Sequence, residues 1–216
     1  MLLNVNTRYG DPLRVARAIE EQDPDLLLLE EIDSGWVEKL GGLARSHPYS
    51  ITEPRDDNFG IGFWSKLPIQ KGEIVYIGKA DVPSIIAKVD LSGRVLHVFG
   101  THPCPPGGPQ YTRWRDEQLE LIPATLKRLD PPILVIGDLN ITRWSCHFGR
   151  LLERTGLRDS ALGFGFQPTW PADLPFLWIP IDHCLYSDGI EIRDRRTGPF
   201  VKSDHFPLIV DLTVRD

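Results

Sequence analysis

The stretch whose reading decides the fold is "ILVIGDLN", residues 133–140. Four residues of buried-strand character, Ile133 to Ile136, meet a glycine, and a carboxylate then stands two positions before a carboxamide. Residues i and i+2 of an extended segment point to the same side, so Asp138 and Asn140 are expected to face together from a rigid strand end. Such a pair is half of an oxygen-rich site. Polar groups close or interrupt other apolar runs in the same way: Asn4 in "LLNVN", Glu31 in "LLLLEEI", and Asp204 with His205 in "VKSDHFPLIV". Asp182 in "PIDHCLYS" and His102 in "VFGTHPCPP" join the set.

Taken singly, each of these has an ordinary structural reading as a turn residue, a cap or a hydrogen-bonded histidine. The joint pattern is harder to dismiss. Ionised carboxylates at the ends of buried strands are costly unless a cation or hydrogen bonds neutralise them. Glu31, Asp138, Asp182 and Asp204 suit Mg²⁺ or Mn²⁺ better than Zn²⁺, since no cysteine and histidine set has zinc-site spacing. Histidines beside the carboxylates supply groups that titrate near neutrality, and an Asp–His pair orients one ring nitrogen while raising the basicity of the other.

Outward from these motifs, "MLLNVN" and "DLLLLEEI" read as buried strands. "DPLRVARAIEEQ" reads as a helix capped by Asp11, with Leu13, Ala16 and Ile19 on one face. "SGWVEKLGGL" is a short helix stopping at the Gly41–Gly42 pair. "TRWRDEQLELIPATLKRLD" is a long helix, kinked at Pro123, and "HFGRLLERTG" another. "FGIGFWS", "GEIVYIG", "SIIAKVDLSGRVLHVFGTH" and "IDHCLYSDGIEIRDRR" are strand-like, with "DLSGRV" and "YSDGIE" as hairpin connections. No repeat or linker divides the chain, so residues 1–216 are expected to form one domain of α/β (α+β) type, two β-sheets face to face with helices outside.

The 216 residues are 41% hydrophobic and 25% charged, a globular balance that argues against disorder. The net charge of −6 gives no global attraction to nucleic acid or anionic membranes. A phosphate substrate stays open, because a bound cation reverses the sign locally. Cys104, Cys146 and Cys184 form no disulfide framework, and free thiols favour a reducing compartment, the cytoplasm. No apolar run is long enough for a membrane span, and "MLLNVN" is not a signal peptide. Because the chain starts almost in a strand, removal of an upstream segment stays open.

In order, "LLNVN", "DPDLLLLEEI", "FGIGFWSKLPI", "VFGTHPCPP", "ILVIGDLN", "IDHCLYS" and "KSDHFPLIV" resemble the motifs of the endonuclease/exonuclease/phosphatase superfamily, the deoxyribonuclease-like metal phosphoesterases. They span residue 4 to about residue 210. "NVNT", "THP", "GDLN", "PTWP" and "IDH" are similar to a bacterial subgroup often carried behind membrane segments. The resemblance implies a four-layer α/β/β/α sandwich of mainly antiparallel sheets. It implies that Asn4 positions metal and phosphate, and that Glu31, rather than Glu30, is the principal metal ligand. It implies that His102 contacts the scissile phosphate, that Asp138 and Asn140 orient the attacking water, and that Asp204 is the terminal metal-linked aspartate. His205 would bind a phosphoryl oxygen or move a proton, and Asp182 would orient His205.

The implied activity is divalent-metal-dependent phosphodiester hydrolysis by a monomer with no stable protein partner. DNA is the first substrate expectation. Small phosphate esters, phosphoinositides and sphingomyelin-like lipids are the alternative, and a catalytically dead binding domain is a third reading. Arg113 and Arg115 would contact flanking phosphates, while Trp144 and Trp178 would stack on bases, although tryptophans at such places often fill loops instead.

Overall fold

The computed structural model describes residues 1–215. The chain opens with β1 (Leu2–Asn4), α1 (Pro12–Gln22), β2 (Leu26–Glu30), α2 (Ser34–Lys39) and α3 (Leu43–Ser46). Five strands follow: β3 (Tyr49–Glu53), β4 (Ile61–Ser65), β5 (Ile69–Tyr76), β6 (Pro83–Asp90) and β7 (Val95–Thr101). After α4 (Pro109–Leu126) come β8 (Ile133–Asp138), α5 (Cys146–Thr155), β9 (Arg158–Asp159), β10 (Asp182–Tyr186), β11 (Ile190–Thr197) and β12 (Leu208–Val214). One sheet has the order β11-β12-β1-β2-β4-β3 and the other β5-β6-β7-β8-β10-β9. Only the β1–β2 and β7–β8 pairs are parallel among the described strand pairs, and each is bridged by a helix, α1 or α4, as a parallel connection requires.

Three apolar clusters define four layers. Leu3, Leu27 and Leu29 on one face of the first sheet pack on Val15, Ile19 and Trp36. Leu2, Leu28 and Phe63 from its other face meet Ile85, Val98, Leu134 and Ile136 of the second sheet. Phe99, Val135 and Leu185 on the far face of that sheet meet Leu119, Ile122, Phe148 and Leu151. Successive leucines in β1 and β2 thus serve opposite faces, which is why those strands read as continuous apolar runs. Burying each such side chain contributes about 1.5–3 kcal/mol. The result is the expected four-layer sandwich.

Local detail departs from expectation in four places. In α1, Asp11 does cap, accepting from the N–H groups of Leu13 and Arg14, but the buried face is Val15, Ala18 and Ile19. Leu13, expected inside, is 83% exposed, because the helix docks about 100° further round than its sparse apolar residues suggested. β3 gave no apolar signal, since this edge strand is exposed or half-buried. β10 and β11 are not a hairpin. The turn at Gly189 carries the chain from one sheet to the other, and Cys184 and Ile190 reach the same inter-sheet core from opposite sides. Finally, the strand ends at Asp138, so Asn140 does not follow the extended alternation.

Gly137, inside the motif, sits where a Cβ would lie 1.9 Å from the Thr101 carbonyl oxygen. Gly137→Ala is therefore expected to destabilise the protein by about 3 kcal/mol, at the upper end of overpacking costs, because backbone cannot yield as a side chain can. Denaturant unfolding of the variant beside the wild type measures this. Among the described residues no helix is long and apolar enough to cross a membrane.

Candidate active site

β1 and β2 run parallel and deliver Asn4 and Glu30 to the same end of the sandwich. In the second sheet Asp138, the last residue of β8, pairs in register with Asp182, the first of β10. The two sheets are tied at this end by Glu30, whose carboxyl oxygens accept from the Asp138 N–H at 3.1 and 3.2 Å. The segment 203–205 joins them by leading into β12, and the Ser203 hydroxyl donates to the Asn4 carbonyl at 2.6 Å.

Two strand ends close with the same local device. The Asn6 N–H donates to Asn4 Oδ1 at 3.0 Å, and the Asn140 N–H to Asp138 Oδ1 at 2.8 Å. Asn6 and Asn140 both take a left-handed conformation, φ 53° and 52°, which asparagine tolerates better than most residues. Asp138 and Asn140 therefore meet through a side-chain turn and not through strand alternation. Asn140 Nδ2 also donates to the Pro103 carbonyl at 2.9 Å, fixing the amide beside the His102 loop.

His205 is the hub. Its Nδ1 lies 2.9 Å from Asp182 Oδ2, and its Nε2 lies 3.7 Å from Asp138 Oδ2. His102 Nε2 faces the same Asp138 oxygen from 3.8 Å, and all four side chains are buried. Burial opposes charge on His205, but Asp182 by charge and hydrogen bond, with Asp138 and Asp204 behind it, outweighs burial and raises its pKa to about 10. Asp182 responds in kind: burial pushes it up, yet the His205 charge and hydrogen bond hold it below the usual carboxylate range. Burial, with His205 adding repulsion, lowers His102 to about 4, so it is neutral. Burial and then the charge of Asp182 push Asp138 well above the usual carboxylate range.

Glu31 and Glu30 part company at the end of β2. Glu30 is wholly buried and pushed well above its ordinary pKa by burial and by the Asp138 and Asp182 charges. Glu31 bends out with φ 58°, half-buried, and accepts from Asn4 Nδ2 at 2.9 Å. A glutamate at positive φ is strained, and here the strain turns its carboxylate into the site. Burial raises its pKa, Asn4 offsets part of this, and the Asp204 charge adds to it. Asn4 has its oxygen on the Asn6 N–H, so in this arrangement its amide orients Glu31. Asp204 is held on both oxygens, by Asn6 Nδ2 at 2.8 Å and Trp170 Nε1 at 3.1 Å.

Among the described residues no three His, Cys, Asp or Glu side chains stand as a ready-made metal cage. Mg²⁺ does not need one, because it retains waters and takes one or two carboxylates plus substrate phosphate. Two carboxylates that repel each other, Glu31 and Asp204, held by amide and indole N–H groups, fit that demand.

The four expected substrate contacts differ in how they stand to this cluster. Arg113 is exposed and donates to Gln110. Arg115 turns inward, donating to Asp116 at 2.8 Å and to the Asn140 carbonyl at 3.3 Å. Trp144 is 64% exposed and stacks on Phe166, while Trp178 meets the edge of Phe206. Asn6, Glu30 and Trp170 were missed as members of the site. The Asn4–Asn6 spacing repeats that of Asp138–Asn140 and was a usable signal. Nothing local points to Glu30 or Trp170 as supports. A cavity of about 360 Å³ lined by Arg143, Trp144, Phe166 and Pro180 flanks the β8 and β10 ends. A larger one of about 510 Å³ borders Met1, Leu26 and Arg94, at the opposite end of β1, away from the chemistry.

The model of the "Endonuclease/Exonuclease/phosphatase family" matches residues 1–205. No curated protein matches the chain. Among solved structures, an endonuclease/exonuclease/phosphatase from Beutenbergia cavernae aligns with a TM-score of 0.80 at 20% identity, over 99% of this chain and 70% of that one. D. rerio TDP2 complexed with single strand DNA product aligns at 0.77 and 16% identity, over 99% and 97%. Sphingomyelinase C from Streptomyces griseocarneus aligns at 0.66 and 19% identity, over 100% and 98%. At these identities the structural likenesses speak for the fold alone. The match of a family model over almost the whole length is of another kind, and by it this chain belongs to the endonuclease/exonuclease/phosphatase family of metal-dependent phosphoesterases.

Proposed function

We propose that this chain hydrolyses a phosphodiester with the aid of Mg²⁺ or Mn²⁺ held at Glu31 and Asp204, with Asn4 and Asn6 steadying those carboxylates. The observation that carries the reading is the buried series Asp182–His205–Asp138, with His102 on its far side. A bound divalent ion would neutralise the phosphate and acidify water. His205, charged near neutrality, offers its Nε2–H to a phosphoryl oxygen. Asp138, made more basic than an ordinary carboxylate by burial and by the Asp182 charge, takes the proton of the attacking water. An amide has two N–H donors, and Asn140 leaves one for an equatorial oxygen after meeting Pro103. His102 is neutral and supplies a hydrogen bond without charge.

The finer expectation, DNA, draws on Arg113, Trp144 and Trp178, which face solvent. Arg115 supports the Asn140 turn instead. Arg115→Ala is thus expected to slow a small chromogenic diester and plasmid DNA alike, by about tenfold, because 1.4 kcal/mol of misplacement is one decade. Steady-state rates on both substrates check this, and a loss confined to DNA would return Arg115 to the substrate-binding set. The function itself is tested by assaying the chromogenic diester with Mg²⁺, with Mn²⁺ and with chelator. Turnover that persists in chelator would refute the reading.

A further inference from the structure

We propose that the apolar loop Leu174–Trp178, together with Phe200, seats the mouth of this site on a phospholipid surface, so that the phosphoester it takes is a lipid one. This rests on the phosphodiesterase reading. Residues 173–178 are six consecutive exposed positions, and five of them are apolar. Phe176, in the 3-10 turn Pro175–Leu177, is 89% exposed, Leu177 58% and Phe200 46%. Leu13, Leu162 and Phe166 are exposed elsewhere, but here five apolar residues stand exposed in a row, an apolar patch of the kind that marks an interaction surface.

The patch is continuous and fastened to the catalytic groups. The Phe206 ring lies 5.7 Å from Trp178 and 6.2 Å from Phe200, joining the loop to the 198–206 segment. At the base of the loop, the Ala172 N–H donates to the Asp204 carbonyl at 2.7 Å, and the Phe206 N–H to the Thr169 carbonyl at 2.8 Å. Thr169 Oγ1 in turn accepts from the Asp182 N–H at 3.2 Å. Whatever covers the tip is therefore brought against the mouth that holds Asp182, Asp204 and His205.

The chemistry of the tip selects the occupant. Across residues 170–178 and 198–206 the cationic side chains are Lys202 and His205, and His205 is buried in the site. A polyanion needs a track of cations along its backbone, and this face has none. Leu174 and Leu177 have no ring to stack on a base, whereas aliphatic side chains enter hydrocarbon readily. Trp178, Phe200 and Lys202 around the leucines match the headgroup boundary, where indole and ammonium groups meet phosphate.

The test uses the full chain and its Phe176→Asp/Leu177→Asp double variant, which leaves every catalytic group in place. Wild type should co-sediment with mixed phosphatidylcholine/phosphatidylglycerol vesicles, and the variant should bind them about tenfold more weakly, as expected when inserted apolar side chains become charged. Both should hydrolyse the soluble chromogenic diester equally, with equal thermal unfolding midpoints. Equal vesicle binding by the two proteins, or none by either, overturns the proposal. So does loss in the variant of a concentration-dependent dimer, or of DNA binding, without any vesicle binding by the wild type. Failure of metal-dependent turnover on the soluble diester would instead count against the phosphodiesterase reading, since that assay involves no surface.

Discussion

His205→Ala is expected to abolish measurable turnover, a loss of about 10⁴-fold, the upper range for a general acid–base group that also binds the developing charge. Its partner decides the finer result. Asp182 accepts from Nδ1 at 2.9 Å, fixes the tautomer and keeps His205 charged well above neutrality. Asp182→Asn keeps the shape but removes the charge, so about 10²-fold should be lost while metal binding is retained. The double variant should be hardly slower than His205→Ala, because residues acting as a unit are not additive. Turnover of a chromogenic diester by the four proteins, with Mn²⁺ titration of each, makes the comparison. Fully multiplicative losses, or an Asp182→Asn protein that no longer binds Mn²⁺, would make Asp182 a ligand and not an orienting group.

The second large effect separates two adjacent glutamates. Glu31→Gln removes a negative charge from the proposed cation site without altering its outline, and activity is expected to fall by about 10²-fold or more. The Mn²⁺ titration midpoint should move to higher concentration, a readout independent of turnover. Glu30→Gln is expected to stay close to wild type. Burial pushes the Glu30 carboxyl well above its ordinary pKa, which disfavours its charged form, and the amide oxygen of glutamine can accept the Asp138 N–H equally well. Glu30→Leu, by contrast, strands that buried N–H and should cost about 1–3 kcal/mol in denaturant unfolding. Equal losses at Glu30→Gln and Glu31→Gln would mean that the wrong glutamate has been assigned to the metal.

The contrast between these glutamates shows how far the chain could be read in advance. Apolar runs ending in Asn, Asp or Glu were visible as strands with chemistry at their tips, because burial and charge are properties of short segments. The "GDLN", "THP" and "SDH" stretches do converge at one end of the sandwich, as their shared residue types suggested. The outward turn of Glu31 was legible only through family resemblance. In the folded chain it follows from a positive φ that no propensity predicts for glutamate.

Other features depended on tertiary structure because they join residues far apart in sequence. Glu30 grips the Asp138 N–H across 108 positions, and Asn6 holds Asp204 across 198. Trp170, one of several tryptophans near the motifs, became a support for Asp204 only when the 169–172 segment was laid against residues 204–206. The turn at Gly189 was legible as a turn, but its role as a passage between sheets was decided by which neighbours Cys184 and Ile190 could bury against. By itself the sequence determined a two-sheet sandwich carrying carboxylates, amides and histidines at its strand ends, since periodicity and the cost of buried charge act locally. Which oxygen meets which N–H was decided by sheet packing, because a hydrogen bond requires about 3 Å between groups that the chain alone leaves unconnected.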